Sequence, residues 1–143
     1  MVGMKIAVID GQGGGIGRLI VEGLRKELGN GVEIIALATN SMALSVMLKA
    51  GADKGATGEN AILRNAHSVD IITGPIGIII ADSMMGELTP AMAHAISSSA
   101  ACKVLLPLNR CGVEIIGVVE EPLPRQIEKL INRLSEIIRG VSL

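Results

Sequence analysis

The sequence predicts an α/β fold built on a mostly parallel sheet. Patterns typical of β-strands alternate along the chain with patterns typical of helices, as they do where crossover helices join parallel strands. The predicted strands are short, nearly continuous apolar runs, which indicates burial on both faces of the sheet. A glycine-rich turn, residues 11–17, directly follows the first strand and leads into a helical pattern. These three observations place the chain in the α/β class.

Each element follows from its local pattern. Strands are predicted where apolar runs are bounded by glycine, proline or polar residues, at residues 5–9, 32–38, 69–73, 103–108 and 113–119. A further, very short strand is predicted within residues 52–58. Helices are predicted where apolar residues recur at helical spacing, at residues 16–28, 40–50, 59–67, 89–97 and 123–138. Residues 76–86 fit a helix and a strand equally well.

The last two predicted strands should form an antiparallel hairpin at an edge of the sheet. Residues 103–108 and 113–119 are separated by about four residues, whereas a parallel crossover needs roughly a dozen or more. The closing helix carries a single apolar stripe, which predicts packing on the sheet or, as the alternative, a dimer seam. The expected architecture is a three-layer sandwich with one antiparallel edge.

Length and composition indicate one domain, residues 1–143, that associates with itself. The chain has 143 residues, of which 49% are apolar. This is a large apolar load for one core, so part of it is expected in a subunit interface, and a homodimer is predicted. The longest unbroken apolar stretch, residues 78–81, is far short of the roughly 20 residues that a membrane helix needs.

Charge and residue types argue against several classes of partner. The formal net charge is −1 and no basic stripe exists to follow a nucleic-acid backbone. The chain has no Phe, Tyr or Trp on which bases could stack. Cys102 and Cys111 have the spacing of neither a metal knuckle nor a CxxC pair. We therefore expect no nucleic acid, no membrane, no metal and, without a signal-peptide pattern, a cytoplasmic location.

The candidate site lies where the parallel strands end, because ligands of open α/β sheets bind beyond those ends. Glycines in a strand-to-helix turn offer backbone N–H groups and a helix N-terminus to a phosphate, so a phosphate-bearing small molecule is the predicted ligand. Close packing of the turn without any ligand is the alternative. The candidate binding residues are Gly11, Gln12, Gly13, Gly14, Gly15, Ile16, Gly17, Thr39, Asn40, Ser41, Thr73, Gly74, Asn109 and Arg110.

The charged residues near this site allow more than one interpretation. Asp10 either accepts hydrogen bonds from the loop N–H groups, as in an Asx turn, or takes part in binding a cation. Arg110 either reaches a phosphate across the strand ends or is a solvated turn residue. The acids Glu59, Asp82 and Glu87 are scattered, and no pair of them has a spacing that forces general acid–base chemistry.

The second strand ends in the uncharged segment Ala-Thr-Asn-Ser, residues 38–41. Proteins that select NAD usually have an Asp or Glu here, which holds the ribose hydroxyls. Hydroxyl and amide groups instead tolerate a 2′-phosphate or a mononucleotide, or they simply cap the next helix. The candidate cofactors are therefore NAD(P) or a mononucleotide.

The spacing of Gly11, Gly15 and Gly17 resembles the cofactor loop of the short-chain dehydrogenases, which reads Gly, three residues, then Gly-Ile-Gly. The resemblance covers this loop alone. Those enzymes transfer protons with a Tyr and a Lys four residues apart, and this chain has no tyrosine, so their chemistry is excluded. Asp10 also stands where they have Thr or a small residue, and its carboxylate would repel a pyrophosphate unless a cation intervenes.

A second resemblance extends over most of the chain and is carried by residues 9–17, 38–41, 56–61, 74–77 and 107–111. These segments are similar to a small family of bacterial proteins known only as a domain of unknown function. The resemblance implies a bacterial, cytoplasmic, Rossmann-like domain. It supplies no reaction, substrate or catalytic residue.

Three functional hypotheses follow. The first is a Rossmann-like domain that binds a nucleotide or dinucleotide at residues 11–17 and acts as a sensor or binding module. The second is an enzyme of unassigned class that uses Asp10, Thr73 or Arg110 at the same strand ends. The third is a non-catalytic interaction protein that functions as a homodimer.

Overall fold

A five-stranded, entirely parallel sheet lies at the centre of the fold in this computed structural model, which describes residues 3–108 and 110–140. The strands are β1 (Lys5–Asp10), β2 (Glu33–Ala38), β3 (Lys54–Thr57), β4 (Ile71–Pro75) and β5 (Cys102–Leu106). The helices are α1 (Gly15–Leu28), α2 (Ser41–Ala50), α3 (Glu59–Asn65), α4 (Pro90–Ser98) and α5 (Leu123–Ile138).

Helices cover both faces of this sheet, which confirms the predicted α/β sandwich. On one face, α1, α2 and α5 pack against residues that include Ile6 and Val8 of β1. On the other face, α3 and α4 pack against residues that include Ala7 and Ile9. Successive residues of β1 thus enter opposite cores, and this double burial explains the unbroken apolar pattern of the strand.

The strand order β3-β2-β1-β4-β5 reverses direction at β1, the central strand. Val8 pairs with Ala36 of β2 on one side and with Thr73 of β4 on the other. A crevice at the carboxyl ends of the strands is expected at such a reversal, and open α/β sheets bind their ligands there. The turn after β1 lies at this point.

Helix α5 runs alongside α1 in the same direction. A Cβ atom on Gly23 of α1 would lie 2.8 Å from Cγ1 of Ile131, so the glycine allows the two helices to approach closely. Arg139, at the end of α5, is 3.8 Å from Glu27, near the end of α1. The N-termini of both helices therefore lie at the same end of the sheet, where the strands have their carboxyl ends. Among the described helices, none is long and apolar enough to cross a membrane.

The predicted antiparallel hairpin is wrong. In the described part of the chain no strand pairs with the outer edge of β5, and residues 113–119 form turns and irregular backbone. Cys111 and Gly112 have left-handed φ angles of 52° and 81°, and Gly117 has a φ angle of 93°. The turn at Cys111 and Gly112 precedes the apolar run and the turn at Gly117 interrupts it, so the run does not form a strand, although its composition is typical of one.

Residues 76–86 form neither the helix nor the strand that their apolar run allows. They contain two 3₁₀ turns, Ile76–Ile79 and Met84–Gly86. The Ser83 hydroxyl donates to the carbonyl oxygen of Gly77 at 2.5 Å and so ties the two turns together. Turns of this length are too short to produce a helical or an alternating pattern in the sequence.

Candidate functional site

The turn between β1 and α1 is a tight loop, and the Asp10 side chain is hydrogen-bonded to residues at both ends of it. The Gly14 N–H donates to the Gly11 carbonyl oxygen at 2.9 Å. Asp10 Oδ1 accepts a hydrogen bond from the Gly11 N–H at 2.8 Å, and its Oδ2 accepts one from the Gly17 N–H at 2.7 Å. These contacts match the Asx-type interpretation of Asp10, because the carboxylate joins the end of β1 to the first turn of α1.

Asp10 is buried, with only 3% of its surface exposed. This burial is the largest influence on the pKa of the Asp10 carboxyl and raises it, and the negative charge of Glu87 acts in the same direction. The N–H groups of Gly17, Gly11 and Ile16 act in the opposite direction without cancelling the effect of burial.

Within residues 3–108 and 110–140, no group of three or more His, Cys, Asp or Glu side chains could hold a metal ion.

Packing requires three glycines of the loop. A Cβ atom on Gly11, Gly14 or Gly17 would lie between 2.4 and 2.8 Å from a neighbouring atom, closer than real Cβ contacts occur. Those neighbouring atoms are Thr39 Oγ1, Ala43 Cα and Met47 Sδ, respectively. Gly14 also has a left-handed φ angle of 74°, which glycine adopts at no steric cost. For these three positions, close packing alone explains the residue type.

Gly13 and Gly15 differ from these three. A Cβ atom on either would meet no atom within 4 Å, and neither residue has a left-handed φ angle. Their N–H groups donate to no acceptor in the described part of the chain. The fold therefore gives no steric reason for glycine at these two positions, and both carry a backbone donor that is available to a ligand.

A cavity of about 370 Å³ opens beside the loop. Besides the loop itself, Arg18, Leu19 and Leu123 contribute to its walls. Leu123 is the first residue of α5, and Arg18 lies in the first turn of α1, where its guanidinium is 3.0 Å from Glu22. The cavity thus has two helix N-termini and an arginine beside it, which favours an anionic ligand.

Glu87 brings a second carboxylate to the loop, although it does not line the cavity. Its Oε1 atom accepts hydrogen bonds from the Gln12 N–H at 2.8 Å, the Thr39 hydroxyl at 2.6 Å and the Asn40 side-chain amide at 2.9 Å. The Thr39 hydrogen bond is the largest influence on the pKa of Glu87 and lowers it, followed by the bond from Gln12. Glu87 is therefore ionised at neutral pH.

The predicted residues at the end of β2 do lie beside the loop. Asn40 caps α2 by accepting a hydrogen bond from the Ala43 N–H at 2.8 Å. Its amide nitrogen also donates to the Gln12 carbonyl oxygen at 2.9 Å. Ser41 is exposed in the first turn of α2. The capping interpretation of this segment is thus confirmed for Asn40, and the same side chain also links the loop to Glu87.

The remaining predicted residues are not brought together at the loop. Thr73 and Gly74 are buried within β4, and a Cβ atom on Gly74 would lie 2.3 Å from the Ile9 carbonyl oxygen. Arg110 forms an ion pair with Glu120 at 3.2 Å and does not line the cavity beside the loop. Asn109 lies outside the described residues. Of the three alternative catalytic candidates, Asp10 lies at the loop, whereas Thr73 and Arg110 do not line the cavity beside it.

Sequence reasoning missed Glu87 and Arg18 as neighbours of the loop. Glu87 is 75 residues away from Gln12 along the chain and follows a segment with no clear pattern, so no local signal indicates the contact. A signal for Arg18 did exist, because a basic residue one position after the last loop glycine must lie in the first turn of the helix.

No curated protein matches the chain. Among solved structures, the chain is similar to one described as "Crystal structure of universal stress protein in complex with cAMP", with 17% sequence identity and a TM-score of 0.40. That similarity covers 73% of this chain and 97% of the other. The model of the family described as "Domain of unknown function (DUF3842)" matches residues 5–139, and the chain therefore belongs to this family.

Proposed function

We propose that this chain binds a phosphate-bearing small molecule, a nucleotide or dinucleotide, at the loop between β1 and α1, and that it acts as a sensor or binding module. The observation that carries the proposal is the pair Gly13 and Gly15. Both have a free N–H group, and a Cβ atom on either would project into empty space. A bound phosphate explains why these two positions are glycine, since it needs both the donors and the space.

The electrostatic surroundings support an anion on this side of the loop. The N-terminus of α1 carries a partial positive charge, and the guanidinium of Arg18 lies beside the cavity, where it pairs with Glu22 at 3.0 Å. The buried Asp10 opposes an anion, but its two oxygens are already bound to the Gly11 and Gly17 N–H groups. The Gly13 and Gly15 donors are separate from these, so a phosphate does not compete with Asp10 for hydrogen bonds.

The first experiment is to denature the purified protein and record the ultraviolet and mass spectra of the released material. Because the chain has no aromatic residue, protein absorbance cannot mask a nucleotide. Calorimetric titration with pyrophosphate and ADP then tests Gly13→Val and Gly15→Val. We expect each variant to weaken binding at least about tenfold, which corresponds to about 1.4 kcal/mol.

Ala91→Val is the matched control, because Ala91 is exposed in the first turn of a different helix, α4. This variant should bind both ligands as the wild type does. Unchanged affinity in Gly13→Val and Gly15→Val would show that the loop is not the site. Absence of binding by the wild type, together with a blank release spectrum, would contradict the proposal as a whole.

A second candidate function is self-association, and the turns after β5 favour it. Val113, Ile116 and Val119 are 44%, 95% and 72% exposed. Val119 lines a cavity with Val104, Leu105 and Leu106 of β5, whose outer edge pairs with no strand in the described part of the chain. Lys103, the one charged residue of β5, donates to the carbonyl oxygens of Ser99 and Ala101 and so does not protect this edge.

The partner that fits this surface is a second copy of the chain. Two identical β5 edges can pair about a two-fold axis, and the exposed apolar residues of each copy then become covered. Light scattering should give the mass of a dimer for the wild type and that of a monomer for Ile116→Asp. Met42→Asp is the control, because Met42 is 67% exposed in α2, which packs against β2 and β3 toward the opposite edge of the sheet. A monomeric wild type would rule out this function.

The proposed setting is the cytoplasm of a bacterium, with residues 1–143 acting as one Rossmann-like domain. Cys102 and Cys111 are free in the structure, as is typical of proteins in a reducing compartment. Limited proteolysis tests the domain proposal: a protected fragment much shorter than the chain would contradict it. Cell fractionation tests the location.

A further inference from the structure

Of the two oxygens of the Glu87 carboxylate, one is hydrogen-bonded by the described residues and the other is not. Its Oε1 atom accepts three hydrogen bonds, from Gln12, Thr39 and Asn40. Its Oε2 atom has no partner among the described residues, and the side chain is only partly buried. A fixed carboxylate with one oxygen free is an acceptor for hydroxyl groups, which donate the hydrogen bonds that an anion cannot supply.

The protein holds this carboxylate in place at a conformational cost. Asp82, Met84 and Met85 all have left-handed φ angles, of 65°, 57° and 56°, which are unfavourable for residues with a side chain. The buried Met84 and Leu88 anchor the segment on either side of Glu87. Strained backbone of this kind persists where the surrounding structure enforces it, and it clusters at functional sites.

Glu87 also lies next to the donors that carry the proposed function. It binds the N–H of Gln12, and the next amide along the chain is the free N–H of Gly13. The N–H group that donates to Glu87 and the N–H group proposed to donate to a phosphate oxygen thus belong to consecutive residues, Gln12 and Gly13. A ribonucleoside 5′-phosphate carries a phosphate and a hydroxyl pair on neighbouring parts of one sugar.

We propose that Glu87 binds the ribose hydroxyls of the ligand, so that the site selects 5′-phosphorylated ribonucleosides with a free 2′,3′-diol and rejects those with a 2′-phosphate. The inference rests on the proposed function of the loop. It differs from the expectation from the sequence, in which the uncharged residues at the end of β2 tolerate a 2′-phosphate on the ligand. The 5′-phosphate would have the Gly13 and Gly15 N–H groups and the N-terminus of α1 to offset the negative charge of Glu87. A 2′-phosphate would face that charge directly, because no cation lies among the described residues that contact the carboxylate.

The test is calorimetric titration with three kinds of probe. Inorganic pyrophosphate reports on the loop alone, ribonucleoside 5′-diphosphates and their 2′-deoxy forms report on the diol, and NAD⁺ with NADP⁺ reports on the 2′-phosphate. We expect the ribonucleotides to bind about tenfold more tightly than the deoxynucleotides, and NAD⁺ to bind more tightly than NADP⁺. Pyrophosphate should bind irrespective of Glu87.

Glu87→Gln is the informative variant, because its remaining oxygen can still accept from Gln12, Thr39 and Asn40 while the charge is removed. It should lose the preference for ribose over deoxyribose and for NAD⁺ over NADP⁺, and it should keep its affinity for pyrophosphate. Glu59→Gln is the matched control: Glu59 accepts a hydrogen bond from Thr89 at 2.6 Å, so it holds the same segment from outside the site. This control should keep both preferences.

Two results would overturn the inference and leave the proposed function intact. One is equal binding of ribonucleotides and deoxynucleotides by the wild type. The other is tighter binding of every probe, pyrophosphate included, by Glu87→Gln, because this would identify Glu87 as a residue that blocks the site. Failure of all probes, pyrophosphate among them, would instead remove the proposed function and this inference with it.

Discussion

Oδ2 of Asp10 accepts the Gly17 N–H at 2.7 Å, so the last residue of β1 is joined to the first turn of α1 across a seven-residue separation. The other oxygen, Oδ1, accepts the Gly11 N–H at 2.8 Å. The N-cap position of α1 is occupied by Gly14, which has no side chain to cap the helix. Asp10 therefore supplies from the strand the acceptor that a capping side chain normally provides.

Replacement of Asp10 by Ala should destabilise the fold by about 1–3 kcal/mol, because it leaves buried N–H groups without an acceptor. Urea unfolding followed by far-ultraviolet circular dichroism measures the change. Glu22→Ala is the control: Glu22 pairs only with the exposed Arg18 on the surface of α1, and its loss should cost well under about 1 kcal/mol. Equal losses in the two variants would show that Asp10 does not hold the loop.

The stability of the protein should also depend on the ionisation of Asp10. Burial raises the pKa of Asp10 above its ordinary value of 3.8. The protonated Asp10 carboxyl is therefore favoured by folding. Its contribution to the free energy of unfolding is fully present below pH 3.8 and is lost as the pH rises through the raised pKa of the folded state. Relative to Asp10→Asn, which does not titrate, the wild type should be more stable in acid than at neutral pH. Parallel unfolding curves at several pH values measure this difference. A difference that stays constant with pH would show that burial does not affect the carboxyl.

The loop glycines should divide into two classes when each is replaced by Ala. Gly15→Ala should stabilise the protein by about 0.4–1 kcal/mol, because Ala fits the space and restricts the unfolded chain. Gly17→Ala should destabilise it by about 1–3 kcal/mol, because the new Cβ would lie 2.4 Å from Sδ of the fully buried Met47 and 3.0 Å from Cβ of Asp10. Unfolding midpoints of both variants test the distinction. A destabilised Gly15→Ala would mean that the fold itself requires this glycine.

The parallel sheet and its helices could be predicted from the sequence. A strand buried on both faces is a nearly continuous apolar run, and a helix that packs on the sheet has apolar residues at helical spacing. The prediction failed at residues 113–119, where the run has the composition of a strand but turns at Cys111 and Gly117 prevent pairing. Backbone turns formed by residues other than Asn-Gly or Pro-Gly leave little record in a sequence.

The candidate site was predictable only in its local part. Spacing alone placed the glycine loop and Asn40 correctly at the strand ends, because both follow directly from a strand. Glu87 reaches the loop from a distant segment of 3₁₀ turns, and such a contact depends on tertiary packing that no local pattern encodes. Sequence spacing likewise could not separate Gly13 and Gly15 from the glycines that packing requires.

Thr73 supplies a last prediction, since its hydroxyl is buried and has no hydrogen-bond partner in the described part of the chain. Val has nearly the same shape and no polar atom, so Thr73→Val should stabilise the protein by about 1 kcal/mol. Thr57→Val is the matched control, because the Thr57 hydroxyl donates to the Ala38 carbonyl oxygen at 3.0 Å and its loss should destabilise by about 0.5–1.5 kcal/mol. Urea unfolding of both variants gives the comparison. If Thr73→Val is destabilised as much as Thr57→Val, the Thr73 hydroxyl has a hydrogen-bond partner in solution.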